Sequence, residues 1–156
     1  MKEIKPNYII IPGITLFIAG IGRYFSDAGM AWYYTLARPD SMPPGWVFGV
    51  VWNTLYVCMT LVALWLYNRA PQDRNRLIAL SILSANAVAN GLWSYLFFYK
   101  RMIFAGLIDC MIVLITAIAL AFLVAKQSRF MAAFVWVYVA WMLFATYTNF
   151  LVWQMN

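Results

Sequence analysis

The sequence has no histidine, two cysteines and only five acidic residues among its 156 residues. Without histidine it lacks the commonest metal ligand and general base, and a histidine-ligated haem is excluded. Cys58 and Cys110 lie in separate apolar runs and form no CxxC pair, so neither a disulfide framework nor a zinc site is indicated. We therefore predict no metal site.

Charge of either sign is also scarce: charged residues make up 10% of the chain and hydrophobic residues 65%. Soluble proteins average about 25% charged and about 45–50% apolar residues. The net charge is +6, but the basic residues stand singly or in pairs between apolar runs, where membrane loops place them. A nucleic-acid surface would gather them on one soluble face. The composition predicts an integral membrane protein and argues against nucleic acid as a partner.

Several apolar segments are long enough to cross a bilayer, which takes about 20 residues for roughly 30 Å of hydrocarbon. The predicted spans are residues 8–25, 45–67, 77–99, 102–125 and 130–153. Their runs are continuous rather than alternating, which disfavours transmembrane strands. We predict an all-α, multi-pass membrane protein, with a single five-helix transmembrane domain over residues 1–156. The absence of an Arg-rich presequence favours a bacterial envelope membrane and leaves an organelle membrane open.

The connection between the first two spans, residues 26–44, is the one long loop of the predicted bundle. Long loops in compact domains are usually functional or disordered. This one holds Trp32, Tyr33 and Tyr34, and disordered segments are poor in aromatic residues. We therefore predict that the loop folds over the bundle as a lid.

Polar and aromatic side chains recur at spacings of three and four in three of the predicted helices, which places them on one face of each. Amides and glycine gain no stabilisation from contact with lipid tails, so these helix faces should point into the bundle. The stripes are Gly45, Phe48, Gly49, Trp52, Tyr56 and Met59; Asn86, Asn90, Trp93 and Phe97; and Tyr138, Trp141, Ala145 and Asn149. The loop-side members of these stripes lie within about 12 residues, or roughly 18 Å, of the membrane face that carries the long loop. The pattern predicts an aromatic pocket under the loop, with plain helix packing or an interfacial aromatic belt as the alternative.

A few charged residues are also candidates for function. Asp109 is the one acidic residue deep in a span, and an intramembrane carboxylate is a functional candidate by default. Its alternative role is a hydrogen bond to a neighbouring helix. The basic residues at the predicted pocket mouth are Arg23, Arg38, Lys100 and Arg101. They are suited to bind the carboxylates of an amphipathic ligand or to reach lipid headgroups.

Three blocks of sequence carry a family signature along nearly the whole chain. They are Trp32-Tyr33, Leu36 to Pro39, Pro43 to Trp46 and Trp52 to Tyr56; Asn90 to Ser94 with Phe97-Phe98; and Tyr138, Ala140-Trp141, Phe144 to Thr146, Asn149, Trp153 and Asn156. In this combination the chain resembles the TspO/MBR family of tryptophan-rich sensory proteins and translocator proteins. The resemblance implies a five-helix bundle, commonly a homodimer. It also implies binding of porphyrins such as protoporphyrin IX, or of other flat hydrophobic molecules, under the first loop, with no cofactor required.

The resemblance also implies roles for individual residues. Trp52 and Trp141 match two tryptophans implicated in light-dependent porphyrin breakdown in some members. Together with the helix stripes, the resemblance gives a set of expected ligand-binding residues. They are Tyr33, Arg38, Pro43, Pro44, Phe48, Trp52, Tyr56, Asn90, Trp93, Tyr138, Trp141, Ala145 and Asn149.

The chain departs from the family pattern in the loop and in the last helix. Arg38 and Ser41 stand where the loop motif usually has Lys and Trp, and Val137 stands where a proline is common. No basic residue follows Tyr147, so the proposed sterol motif is incomplete and sterol binding is not expected. Three functions remain open: a binding and transport or sensory protein for tetrapyrroles, a light-dependent porphyrin-degrading enzyme that uses Trp52 and Trp141, and a small proton-coupled exporter that uses Asp109.

Overall fold

The computed structural model describes residues 5–156. Over this range the chain folds into long helices and contains no strand. The helices are α1 (Asn7–Tyr33), α2 (Gly45–Asn68), α3 (Arg74–Ser94, continued by a π-helical turn over Tyr95–Tyr99), α4 (Ile103–Ala125) and α5 (Arg129–Met155). Within the described range these are five helices long and apolar enough to span a membrane. The predicted all-α, multi-pass membrane fold is confirmed.

Helix α1 is longer than predicted. It does not end near Phe25 but continues to Tyr33, which shortens the first loop from residues 26–44 to residues 34–44; we call this shorter segment the lid. The polar residues that suggested a helix end are satisfied on the helix itself. Arg23 and Asp27 form an ion pair one turn apart, with 2.7 Å between Nε and Oδ2, and the Ser26 hydroxyl donates to the Gly22 carbonyl at 2.8 Å. Such local bonding lets polar residues remain within a helix.

Helix starts follow from local chemistry. The Asp73 carboxylate accepts a hydrogen bond from the Arg76 N–H at 2.9 Å and caps α3. The Ser128 hydroxyl accepts from the Met131 N–H at 3.3 Å and caps α5. Both bonds satisfy backbone donors that the first helical turn leaves without a partner. The two caps lie in the short connections between α2 and α3 and between α4 and α5.

The main apolar core lies in the half of the bundle away from the lid. Its largest fully buried side chains come from α2, α4 and α5 and include Leu55, Val62, Leu66, Val113, Leu120, Val124, Val135 and Met142. Small α4 residues between them, Ala117 and Ala121, are also fully buried. Close contact of this kind holds membrane helices together, because lipid offers no hydrophobic driving force between them. The side chains of this half are therefore buried against one another, and the main cavity lies on the lid side.

The π-helical turn fastens the end of α1 to the bundle. A π turn inserts one extra residue into a helix, and here Phe97 and Phe98 are both buried. Helix α1 passes directly over this turn at Gly29, where a Cβ would lie only 2.7 Å from the Phe98 Cβ. The Tyr33 ring then packs beside Phe98, with 5.5 Å between ring centroids. The end of α1, after which the lid begins, is therefore packed against the π turn.

Candidate functional site

An open cavity of about 1280 Å³ lies between α1, α2, α3, the end of α5 and the lid. Ligand pockets for small molecules commonly measure roughly 300–1,000 Å³, so this cavity can admit a large flat molecule. It occupies the lid-side half of the bundle. Most of the predicted ligand-binding residues line it: Tyr33, Arg38, Pro43, Pro44, Phe48, Trp52, Tyr56, Asn90, Trp93 and Asn149.

The lid is attached to the bundle by polar and apolar contacts. The Ala37 N–H donates to Asn156 Oδ1 at 3.0 Å, and Asn156 Nδ2 donates back to the Ala37 carbonyl at 2.9 Å. Beneath the lid, Leu36 and Met42 pack against a buried cluster that includes Phe98 and Val152. The lid is thus an ordered cover with an apolar underside.

Arg38 places a positive charge at the cavity mouth. Its guanidinium carbon lies 4.9 Å from the Tyr33 ring centroid and 5.3 Å from that of Tyr34. Cation–π contacts of this kind orient a guanidinium while its N–H donors stay available to a carboxylate. Among residues 5–156, no acidic side chain forms an ion pair with Arg38. The mouth therefore offers an oriented cation for an anionic group.

Aromatic rings form the cavity walls. Trp52 and Tyr56 lie side by side on α2, with 5.8 Å between ring centroids. Trp93 stacks on Phe97 at 5.2 Å with an 18° angle between ring planes. The Trp93 indole N–H donates to Asn149 Oδ1 at 3.3 Å, which fixes the ring. These surfaces match the faces of a flat apolar ligand.

A chain of hydrogen bonds leads from the cavity into the core. The Tyr56 hydroxyl donates to Asn90 Oδ1 at 3.3 Å, and Asn90 Nδ2 donates to the Tyr138 oxygen at 3.2 Å. The Tyr138 hydroxyl donates to Asn86 Oδ1 at 2.9 Å, and Asn86 Nδ2 donates to the Val113 carbonyl at 2.8 Å. The chain links α2, α3, α5 and α4 and satisfies polar groups that would be costly to bury alone.

Three predicted site residues do not line the main cavity. Tyr138 is buried beneath the cavity, and its hydroxyl accepts a hydrogen bond from the lining residue Asn90. Ala145 lines a small inner pocket of about 40 Å³. Trp141 lies behind Phe48, with 5.6 Å between their ring centroids. Trp141 therefore packs against the lining residue Phe48 and is not itself at the cavity wall where we expected it.

Apart from Arg23, the residues of α1 that line the cavity were not among the predicted site residues. Helix α1 contributes Leu16, Ala19, Gly20, Gly22, Arg23, Ser26, Asp27 and Met30. The prediction ended this helix at Phe25 and treated the following residues as loop. A signal was present, since small residues recur at Ala19, Gly22, Ser26 and Gly29 with the spacing of one helix face. Small residues let a membrane helix approach its neighbours closely.

Two of the basic residues expected at the mouth are placed elsewhere. Arg23 and Arg38 line the cavity, whereas Lys100 and Arg101 do not. The Lys100 ammonium instead lies 5.4 Å from the ring centroid of Tyr95, on the far side of the π turn. Only Arg38 and Arg23 are therefore positioned to meet a ligand, and Arg23 already has Asp27 as its partner.

Asp109 is buried in α4 and lines neither pocket. In the described part of the chain, its Oδ2 has no hydrogen-bond partner, so this oxygen does not make the expected bond to a neighbouring helix. Cys58 and Cys110 are free thiols. Residues 5–156 contain no group of three or more Cys, Asp or Glu placed to hold a metal ion.

Comparison with known proteins finds a family and relatives that match nearly the whole chain. The model of the TspO/MBR family matches residues 9–154. The uncharacterized membrane protein YtaB of Bacillus subtilis is 30% identical over 143 residues, which cover 92% of each chain. The human translocator protein is 27% identical over 151 residues, covering 96% of this chain and 88% of its own. The tryptophan-rich protein TspO of Chlorobaculum tepidum is 27% identical over 145 residues, covering 92% of each chain.

Proposed function

We propose that this chain, which belongs to the TspO/MBR family, binds porphyrins such as protoporphyrin IX in the cavity beneath its lid. It would act there as a transport or sensory protein of the membrane. The ligand would be its cargo or signal, with no further cofactor required. The name of the human relative, translocator protein, agrees with a role in transport.

The observation that carries this proposal is the combination of aromatic walls and a single oriented cation at the mouth. Trp52, Tyr56 and Trp93 provide flat apolar surface inside the cavity, and Arg38 stands at its entrance. A porphyrin has a flat apolar macrocycle with carboxylates along one edge. The macrocycle would pack against the aromatic rings, while a carboxylate would accept charge-assisted hydrogen bonds from Arg38.

Titration of the purified protein with protoporphyrin IX tests the proposal. We expect saturable binding, followed by porphyrin fluorescence anisotropy and by quenching of tryptophan fluorescence. Arg38→Ala and Trp52→Ala should each weaken binding about tenfold, because they remove a charge-assisted hydrogen bond and an aromatic wall. Arg74→Ala is the matched control, since Arg74 is exposed at the start of α3 and lies outside the cavity. Undiminished binding in both cavity variants would refute the site.

Light-dependent breakdown of the bound porphyrin, with dioxygen as oxidant, is a second candidate function. It is favoured by the position of Trp52 in the cavity wall. Trp141 does not line the cavity but packs against Phe48, which does. Illumination of the complex under air should then consume porphyrin faster than in protein-free micelles, and Trp52→Phe should slow it more than Trp141→Phe. Equal bleaching with and without protein would exclude this function.

We include a homodimer in the proposal, as the family resemblance implies. Light scattering coupled to size-exclusion chromatography in detergent should give twice the chain mass of 18.0 kDa after subtraction of bound detergent. A monomer that binds porphyrin with full affinity would remove the dimer from the proposed function.

A further inference from the structure

The hydrogen-bond chain below the cavity has a fixed direction. The Val113 carbonyl oxygen can only accept, so the Asn86 group 2.8 Å from it is the amide nitrogen. Thr116 provides a second anchor. Its hydroxyl donates to the Ile112 carbonyl at 2.7 Å, so its oxygen accepts from the same Asn86 nitrogen at 2.7 Å. Asn86 Oδ1 therefore points the other way, toward Tyr138.

This direction propagates back to the cavity. Asn86 Oδ1 can only accept, so the single Tyr138 proton is used in the bond to it. The Tyr138 oxygen must then accept from Asn90 Nδ2, which turns Asn90 Oδ1 toward Tyr56. Because Oδ1 can only accept, the single Tyr56 proton is also used. A backbone carbonyl in α4 thus determines that the Tyr56 oxygen, at the cavity wall, is left as an acceptor.

The surroundings of this oxygen are open to the cavity. Gly22, Ser94 and Asn90, which lie around the Tyr56 hydroxyl, all line the cavity. A Cβ added at Gly22 would be in van der Waals contact with the Tyr56 oxygen, at 4.0 Å, so the missing side chain at Gly22 leaves this side of the oxygen uncovered. In the described range no protein group donates to the Tyr56 oxygen. Its accepting capacity is therefore available to a ligand.

We propose that the Tyr56 oxygen selects ligands that carry an N–H or O–H donor on the edge that enters first. The inference rests on the proposed function, because Arg38 would hold the carboxylates at the mouth and send the opposite edge inward. In a closed porphyrin the N–H groups point into the ring and cannot reach Tyr56. In an open-chain tetrapyrrole with carboxylates on its central rings, rotation about the single bonds of the bridges can turn the terminal lactam N–H groups outward to the leading edge. The site should therefore prefer the open-chain form.

Biliverdin and its bis-lactim ether test this preference, because both have the same chromophore and only biliverdin has lactam N–H groups. We expect the unaltered full chain in detergent to bind biliverdin about fivefold to tenfold more tightly than the ether, the effect of one neutral hydrogen bond. In Tyr56→Phe this ratio should fall to near one. In Tyr147→Phe, an exposed tyrosine on α5 outside the cavity, the ratio should stay as in the unaltered chain.

Equal affinity of the unaltered chain for biliverdin and its ether would overturn the inference, as would a ratio unchanged by Tyr56→Phe. The comparison of the two ligands needs no substitution, so it stands even if Tyr56→Phe does not fold. Protoporphyrin IX separates this inference from the proposed function. Binding of protoporphyrin but not of biliverdin would refute only the selection by Tyr56, whereas absence of binding to any tetrapyrrole would refute both.

Discussion

Asn156 and Ala37 exchange two hydrogen bonds, of 3.0 and 2.9 Å, between the end of α5 and the backbone of the lid. Asn156 Nδ2 also donates to the Val152 carbonyl at 2.8 Å, so the amide is oriented by its own helix before it meets the lid. The polar attachment of the lid thus joins one side chain of α5 to a backbone position of the lid.

Replacement of Asn156 by alanine should loosen the lid without unfolding the bundle. Net hydrogen bonds contribute about 0.5–1.5 kcal/mol each, so we expect porphyrin dissociation to accelerate about tenfold. Stopped-flow measurement of porphyrin release into excess lipid vesicles gives this rate. Gln154→Ala, on the same exposed turn of α5, is the control and should leave the rate unchanged. If both variants release porphyrin equally fast, the Asn156 contact does not limit opening.

Gly29→Ala should destabilise the fold at the crossing of α1 and the π turn. The added Cβ would lie 2.7 Å from the Phe98 Cβ and closer still to the Phe98 backbone, which cannot move aside as a flexible side chain can. Overpacking of this kind costs about 1–3 kcal/mol, so we expect a thermal midpoint in detergent several degrees lower. Gly13→Ala is the control on the same helix, because nothing lies within 4 Å of its Cβ position. An unchanged midpoint in Gly29→Ala would mean that α1 can shift off the turn.

The membrane-spanning helices were predictable from the sequence because length and continuous hydropathy determine them. The end of α1 was not, because Arg23, Ser26 and Asp27 look like loop residues until their pairing along the helix is known. The π turn was equally hidden, since the sequence Tyr95–Tyr99 shows no feature that separates it from an ordinary helical turn. Local pairing of polar groups, which hydropathy does not measure, allowed α1 to continue past Phe25.

The positions of the site residues were also only partly predictable from the sequence. The stripes on α2 and α3 correctly placed Trp52, Tyr56, Asn90 and Trp93 around one cavity, because helical spacing fixes which residues share a face. The spacing on α5 grouped Trp141 with Asn149, yet only Asn149 lines the cavity. How far each helix is rotated, and which neighbouring ring fills the space, depend on packing that one sequence does not display.

Asn86→Ala should lower stability, because it removes the link between the Val113 carbonyl and the Tyr138 hydroxyl. Buried groups left without a hydrogen-bond partner cost about 1–3 kcal/mol. Thermal unfolding in detergent should show the loss. Ser84→Ala is the control on the same helix, since Ser84 is exposed and bonds only to the carbonyl of Leu80 in its own helix. Equal midpoints for the two variants would show that the hydrogen-bond chain adds nothing to stability.

Asp109→Asn tests whether the buried carboxylate of α4 has a part in transport. Asp109 lines neither pocket, and in the described residues its Oδ2 has no hydrogen-bond partner. The nearly isosteric amide avoids burying a charge without a partner, which is strongly unfavourable. We therefore expect an equal or higher thermal midpoint and porphyrin affinity within about twofold of the original. Proteoliposomes with an imposed pH gradient complete the test: loss of gradient-driven porphyrin movement in Asp109→Asn, with binding intact, would instead establish the proton-coupled exporter that the sequence left open.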